Sequence, residues 1–380
     1  MIYLDSGATT LEKPPAVARA MAQAVGEMSS PGRGNYPASQ KAARTAYDCR
    51  EAAAELFHVP APEQVIFTCN ATHGLNIAIR TLVRPGCRVA VSGYEHNAVT
   101  RVLHSIPGVE IMVADAPLFR PEQTLEGFHT ALRRGVDAVI CNHVSNVFGC
   151  VQPVEELAGL CRRTHTPLIV DASQSAGILP VLLADWGAAF VAMPGHKGLY
   201  GPQGTGLLLC GAEASPLLYG GTGSASRRQT MPIDLPDRLE AGTHNMPGIA
   251  GLLEGLRFVS HAGVERIAQW ERRLTRRAEE GLARLLGVEV FADKTGQGQT
   301  GVLSFCVKGM DCEQVGEELA RRQIAVRAGL HCAPLAHRTA GTLESGTIRI
   351  SPSVFNTEGQ INFFLREMRE ILRENTKKSV

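Results

Sequence analysis

This 380-residue chain lacks most of the features that point to a membrane, a nucleic acid or a metal. Aromatic residues make up only 5% of it, and no basic stripe interleaved with aromatics occurs. Thirty-eight Lys and Arg against thirty-seven Asp and Glu leave a net charge of +1. No global field therefore favours nucleic acid or an anionic membrane surface. No uninterrupted apolar run approaches the ~20 residues of a membrane span. The start, Met1 to Asp5, lacks the basic region and apolar stretch of a signal peptide. The ten cysteines are scattered, with no CxxC pair and no Cys/His cluster at zinc spacing, which argues against a structural metal. Nine of the ten suit a core or helix; the expectation is reduced thiols in a cytoplasmic protein. Internal repeats and low-complexity segments are also missing.

A 44% hydrophobic content is enough to bury a substantial core, and the length suits one large domain plus a smaller one. Strand-like runs at Val65–Thr68, Arg88–Ser92, Glu110–Val113, Ala138–Cys141 and Leu168–Val170 alternate with helical stretches such as His73–Leu82 and Val154–Thr164. Short strands joined by helices predict a mainly parallel sheet covered on both faces. Composition shifts near Gly248–Gly255, where a long charged helix follows; its Trp270–Leu274 and Arg276–Glu280 runs read as a solvated face. Strands at Gly301–Phe305, near Ile324–Arg327 and at Thr347–Ser351 predict a smaller α+β domain. Its last helix is capped by Thr357. The expected division is 1–255 and 256–380, with the first ~15 residues packing on the smaller domain.

In parallel sheets ligands lie beyond the carboxyl ends of the strands, so the residues after each strand carry the information. Lys197 lies in the Gly-rich stretch Ala192–Gly204, between the apolar runs Ala188–Ala192 and Gly206–Cys210. Asp171 emerges from Leu168-Ile169-Val170, where a carboxylate is costly to bury without a partner. A protonated pyridine nitrogen is such a partner, with Gln174 in reach of a ring oxygen. Thr72 opens a helix whose free N–H groups suit a phosphate. His96 follows another strand and suits stacking on a ring and proton transfer near neutral pH. Asn146 follows a further strand, placed to donate to a phenolate oxygen. Capping, turn or core roles explain each of these residues singly. Together they suit a lysine that forms a Schiff base with pyridoxal phosphate (PLP).

These residues, with Tyr3-Leu4-Asp5-Ser6-Gly7-Ala8-Thr9, Asn70-Ala71-Thr72, Glu95-His96-Asn97, Ser145-Asn146-Val147, Gly195-His196-Lys197 and Glu240-Ala241-Gly242-Thr243, resemble the cysteine desulfurase and selenocysteine lyase family of class V aminotransferase-type enzymes. The resemblance covers nearly the whole chain. It implies an α/β, fold type I PLP-dependent transferase with a mainly parallel sheet of the seven-stranded type and a smaller α+β C-terminal domain. It also implies roles. Lys197 would hold PLP, Asp171 would pair with the pyridine nitrogen, His96 would stack on the ring, and Gln174 would meet the ring hydroxyl. Asn146 would contact cofactor or substrate, Ala71, Thr72 and His196 would bind phosphate, and Thr243 would reach the neighbouring subunit's phosphate in a homodimer.

Cys332 stands apart from the other cysteines, in a loop of Gly, His and Pro where Arg327 and His331 would favour its thiolate. The desulfurases that the chain resembles carry their persulfide-forming cysteine in such an Arg-x-Gly-x-His-Cys loop. Arg349 matches the arginine that clamps the substrate carboxylate, for which a guanidinium fork is suited. The implied reaction converts L-cysteine to L-alanine and passes persulfide sulfur from Cys332 to an acceptor protein or thiol. The alternatives are a selenocysteine lyase, a class V aminotransferase-type enzyme that leaves Cys332 idle, and a silent PLP-binding scaffold or sulfur-relay partner. Two positions depart from the family pattern. Pro194 stands where Ser or Thr commonly binds phosphate, and Tyr36, expected at the entrance, replaces a common histidine. The short stretch between Cys332 and Arg349 places the chain nearer the group II enzymes, whose cysteine moves little.

Overall fold

The computed structural model describes residues 1–32, 34–296 and 298–378. A short strand, β1 (Ile2–Tyr3), and two helices, α1 (Pro15–Glu27) and α2 (Pro37–Leu56), precede the main sheet. The strands β2 (Val65–Thr68), β3 (Arg88–Ser92), β4 (Glu110–Ala114), β5 (Ala138–Asn142), β6 (Leu168–Asp171), β7 (Phe190–Pro194) and β8 (Gly206–Cys210) form a seven-stranded sheet. Its order is β2-β8-β7-β6-β5-β3-β4. Pairing is parallel except at β8, which runs antiparallel to both β2 and β7.

The near-continuous apolar runs follow from burial on both faces. Val65, Ala90, Val139, Val170, Val191 and Leu209 point to one layer, which α2, α5 (Pro121–Arg133) and α6 (Val154–Arg163) cover. Ile66, Val91, Ile140, Ile169, Phe190 and Leu208 point to the other, beneath α3 (Ala71–Leu82) and α4 (Asn97–His104). Strict alternation along each strand fixes which residue ends it facing the site. A one-turn helix, α7 (Leu183–Trp186), links β6 to β7.

The Gly248–Gly255 stretch differs from expectation: it lies inside a continuous helix, α8 (Met246–Ala262). Close approach explains the glycines. A Cβ at Gly255 would come within 2.2 Å of the Leu199 carbonyl oxygen, and one at Gly251 within 2.8 Å of Met21 on α1. The charged helix α9 (Val264–Leu282) follows, and it too departs in part, because Glu271 is buried.

The C-terminal part contains β9 (Val288–Phe291), β10 (Leu303–Val307), α10 (Cys312–Arg321), β11 (Ile324–Ala325), β12 (Arg327–Gly329), α11 (Pro334–Thr339), β13 (Thr347–Ile350) and α12 (Glu358–Lys378). An antiparallel sheet of order β12-β13-β10-β9 packs on α9 and α12 through Leu303, Phe305, Ile348, Leu274 and Phe364. The segment expected as one strand near Ile324–Arg327 is two: β11 pairs in parallel with β1, while β12 joins β13. The N-terminal strand is thus stitched into the C-terminal part, and this brings Asp5 beside Arg327 and Arg349. All ten cysteines are free thiols. Cys69 is exposed, against the core role expected for it, because it lies in the turn between β2 and α3. No helix among the described residues is long and apolar enough to cross a membrane, and no cluster of potential metal ligands occurs among them.

Candidate active site

The carboxyl ends of β3, β5, β6 and β7 open onto one cavity of about 230 Å³. Its wall includes Ala71, Thr72, His96, Asn146, Asp171, Gln174, His196 and Lys197, residues drawn from widely separated parts of the chain.

Each is placed by its local structure. Asn70 caps α3 by accepting from the His73 N–H at 2.9 Å, which leaves the N–H groups at the start of the helix directed at the cavity end of the sheet. His96 caps α4: its Nδ1 accepts from the Ala98 N–H at 3.0 Å, so Nε2 carries the ring proton. Burial lowers the pKa of His96, keeping the imidazole neutral. Behind it, Ser92 donates to Glu95 Oε1 at 2.6 Å, and the Asn142 N–H donates to the same oxygen at 2.8 Å. Glu95 is fully buried, which pushes its pKa up to about 8, so it holds a proton at neutral pH. Asp171, at the end of β6, accepts at Oδ1 from the Ser173 N–H (2.9 Å) and hydroxyl (2.5 Å).

Lys197 follows β7 in a turn, and burial lowers its pKa to about 8. A lysine with that pKa is a usable base and nucleophile near neutral pH. Burial, with the nearby charges of Lys197 and Lys13, lowers His196 to about 4; its Nδ1 lies 3.1 Å from Thr9 Oγ1. Gln174 donates to the Gly7 carbonyl at 2.8 Å.

Three expected site residues lie outside this wall. Cys332 is exposed, between β12 and α11, with left-handed φ of +55°. Its carbonyl accepts from the Asn97 N–H at 2.8 Å, which ties the thiol loop to the residue after His96. It lines a groove of about 330 Å³ that shares Thr72, His96 and Ala98 with the Lys197 cavity. Arg349 is buried beneath the cavity, donating from Nη1 to the Asn146 carbonyl at 2.7 Å and from Nη2 to Asp5 Oδ1 at 2.8 Å. Its Nε and the Asn146 Oδ1 are buried without hydrogen-bond partners among the described residues. Such atoms are costly to leave unpaired, and they mark a place for a polar ligand. Thr243 lies in a separate, mainly apolar cavity of about 170 Å³ with Phe67, Cys69 and His73.

Three expectations change. His331 cannot supply a charge to Cys332: burial holds its pKa at about 2, and Nε2 lies 3.0 Å from Thr347 Oγ1. Arg327 is shared, since it pairs with Asp5 at 2.9 Å. Tyr36 does not line the cavity; it is exposed, and its hydroxyl accepts from Ser29 Oγ at 3.1 Å. Its neighbour Arg33 lies outside the described residues. Asp5 was not anticipated as the shared partner of two arginines. The signal was present, since a carboxylate after Tyr3-Leu4 needs a cation once it is buried.

A lysine with a lowered pKa, a buried acid and a helix N-terminus at one sheet edge define the site of an enzyme that holds an anionic, ring-bearing cofactor. The chain matches the model of the aminotransferase class V family over residues 2–364. It is 32% identical to a probable cysteine desulfurase of Methanothermobacter thermautotrophicus, covering 97% of this chain and 94% of that one. It is also 32% identical to one from Mycolicibacterium paratuberculosis over 98% of this chain, which spans only 55% of that longer protein. A solved cysteine desulfurase from Thermococcus onnurineus superposes with a TM-score of 0.90 at 30% identity, covering 98% and 95% of the two chains. The Escherichia coli cysteine desulfurase CsdA, in an S-sulfonic acid form, gives 0.85 at 26% over 98% and 94%. The chain belongs to the class V aminotransferase family, and pyridoxal phosphate is its cofactor.

Proposed function

We propose that this chain is a cysteine desulfurase, releasing L-alanine from L-cysteine and holding the sulfur as a persulfide on Cys332. The observation that carries the reading is the exposed Cys332, tied through its carbonyl to Asn97, on a groove that opens beside the Lys197 cavity. The residues fit PLP: a half-buried lysine, a buried acid on the cavity wall, and helix N–H groups at one end.

Lys197 would carry the cofactor through Nζ and Asp171 would pair with the ring nitrogen. Thr72, Ala71 and His196 would hold the phosphate; His96, Gln174 and Asn146 would contact the ring and its hydroxyl. Bound PLP supplies an electron sink for the substrate carbon skeleton. Lys197, free and neutral, takes the Cα proton. The Cys332 thiolate attacks the substrate Sγ. The S–S bond forms as the Cβ–Sγ bond breaks, the electron pair stays with the carbon fragment, and a proton on Cβ together with return of the proton to Cα completes alanine. The Nε of Arg349, without a hydrogen-bond partner among the described residues, is suited to the substrate carboxylate. An acceptor protein or thiol then takes the persulfide sulfur.

The same reading makes the protein a homodimer that shares active sites. Thr243 stands apart from its own Lys197 cavity, in a cavity that the exposed Leu218 also lines, and Tyr219 and Ile233 are further exposed apolar side chains on the segment that leads to it. Sedimentation should give twice the chain mass. The central test is Cys332→Ser: alanine release from L-cysteine should fall by about 10²-fold or more, with the PLP absorbance unchanged. Full turnover by that variant overturns the reading.

A further inference from the structure

Behind Lys197 lies a second, smaller cavity of about 30 Å³, room for one or two water molecules. It shares Ser173, Gln174 and Lys197 with the larger cavity, so the lysine stands in the partition between the two. Tyr200 and Glu271 also line it. Glu271 sits in the charged run of α9 yet is only 6% exposed. One oxygen accepts from the Tyr200 hydroxyl at 3.2 Å, and the other has no partner among the described residues. No cation among the described residues pairs with it, which is unusual for a carboxyl group so deeply buried. The residues that line the small cavity include three ionisable groups: Lys197, Tyr200 and Glu271. Burial pushes Glu271 up to about 8, so it holds a proton at neutral pH. Burial brings Lys197 down to about 8, and burial and the neighbouring acid keep Tyr200 protonated. Proton exchange between Glu271 and Lys197 is therefore close to balanced in free energy.

We propose that Glu271 is a positioning residue that sets the proton on Lys197, lending it one through water in the rear cavity and taking it back. This rests on the reading of Lys197 as the group that handles the Cα proton. In the forward transfer the carboxyl O–H breaks, the proton passes along the water, and an N–H forms on free Nζ, leaving a carboxylate. The reverse transfer restores the acid, so a turnover consumes no net proton here. The device suits a lysine that must act as base and then as acid in a closed site. Water held in a polar pocket of this size carries the proton between the two groups.

The test compares wild type, Glu271→Gln and Glu271→Asp. Infrared difference spectra of the apoprotein should show carboxylic-acid C=O absorption from Glu95 and Glu271 that fades as pH rises through about 8, and E271Q should lose the Glu271 part while keeping that of Glu95. In the holoenzyme, exchange of the Cα hydrogen of L-alanine in D₂O should be about tenfold slower in E271Q at neutral pH, with KM within about twofold. The gap should close above about pH 9, where wild-type Glu271 has lost its proton. E271D keeps the acid and should recover at least half the rate. The proposal falls if E271Q removes no carboxylic-acid absorption from the wild-type spectrum, if E271Q exchanges as fast as wild type at all pH values, or if E271D is as slow as E271Q. Neither measurement uses L-cysteine or Cys332. Failure of the desulfurase reading would therefore appear separately, as no alanine released from L-cysteine.

Discussion

The two halves of the site are built on different principles. The Lys197 side consists of strand ends, each residue held by the parity of a buried strand and by a cap or turn that begins there. The Cys332 side consists of a short strand, an exposed loop and two arginines bound to a carboxylate from the other end of the chain. On the first side burial shapes the chemistry: it lowers Lys197 and His96 and raises Glu95. On the second, tertiary ion pairing does so, and the thiol stays at the surface where an acceptor can meet it. Cofactor chemistry needs a dry, fixed pocket, whereas sulfur transfer needs access.

The contrast can be broken most severely at Lys197. Lys197→Ala should remove turnover by about 10³-fold or more and abolish the borohydride-reducible link to PLP, read by mass spectrometry. Cys332→Ser should spare that link and the L-alanine exchange while losing alanine release, which separates the two sides. Asp5→Asn attacks only the arginine side. It leaves buried Arg349 without a counter-charge, costing about 3–5 kcal/mol in urea unfolding and changing KM for L-cysteine more than the PLP spectrum.

Acid sensitivity sharpens the comparison further. Burial holds His143 and His337 at about 4 and His331 at about 2. Below their ordinary value of 6.5 the unfolded chain takes up protons that the native protein refuses, so stability should fall as pH drops from about 6.5 toward 4. Glu95 and Glu271, both raised to about 8, have the opposite sign. The native protein keeps protons that the unfolded chain gives up, so stability also falls as pH rises from 4.5 toward 8. Urea midpoints against pH should therefore flatten on the acid side in His143→Gln and on the alkaline side in E271Q. The smallest effect is expected at Pro194, which ends β7 at the cavity wall without an N–H or hydroxyl. Pro194→Ser adds a possible phosphate donor and should tighten PLP binding by about tenfold or less, measured by equilibrium dialysis.

Legibility followed the same divide. Asp171, His96, Asn146 and Lys197 could be read because each follows an apolar run, and the run itself signals the strand. The seven strands of the main sheet were visible for the same reason. The composition shift at Gly248–Gly255 was visible but its cause was not, since these glycines serve close packing of α8 on α1 and on the Leu199 carbonyl. Glu271 misled because a charge inside a charged helical run looks solvated, and only the packing of α9 shows that this position turns inward. His331 was legible as a neighbour of Cys332, but its charge was not, since desolvation depends on what surrounds it in space.

The sequence by itself determined the alternation of strands and helices, the lysine, acid, histidine and cysteine proposed to carry the chemistry, and the sheet edge where most of them would meet. Periodicity and short-range capping are local, so they are written in consecutive residues. Only the tertiary structure decided that Asp5 joins Arg327 and Arg349, that the thiol loop is tied to Asn97, and that Lys197 has a buried acid behind it. Those facts rest on contacts between segments up to 344 residues apart and on the water each group loses, which no local pattern encodes.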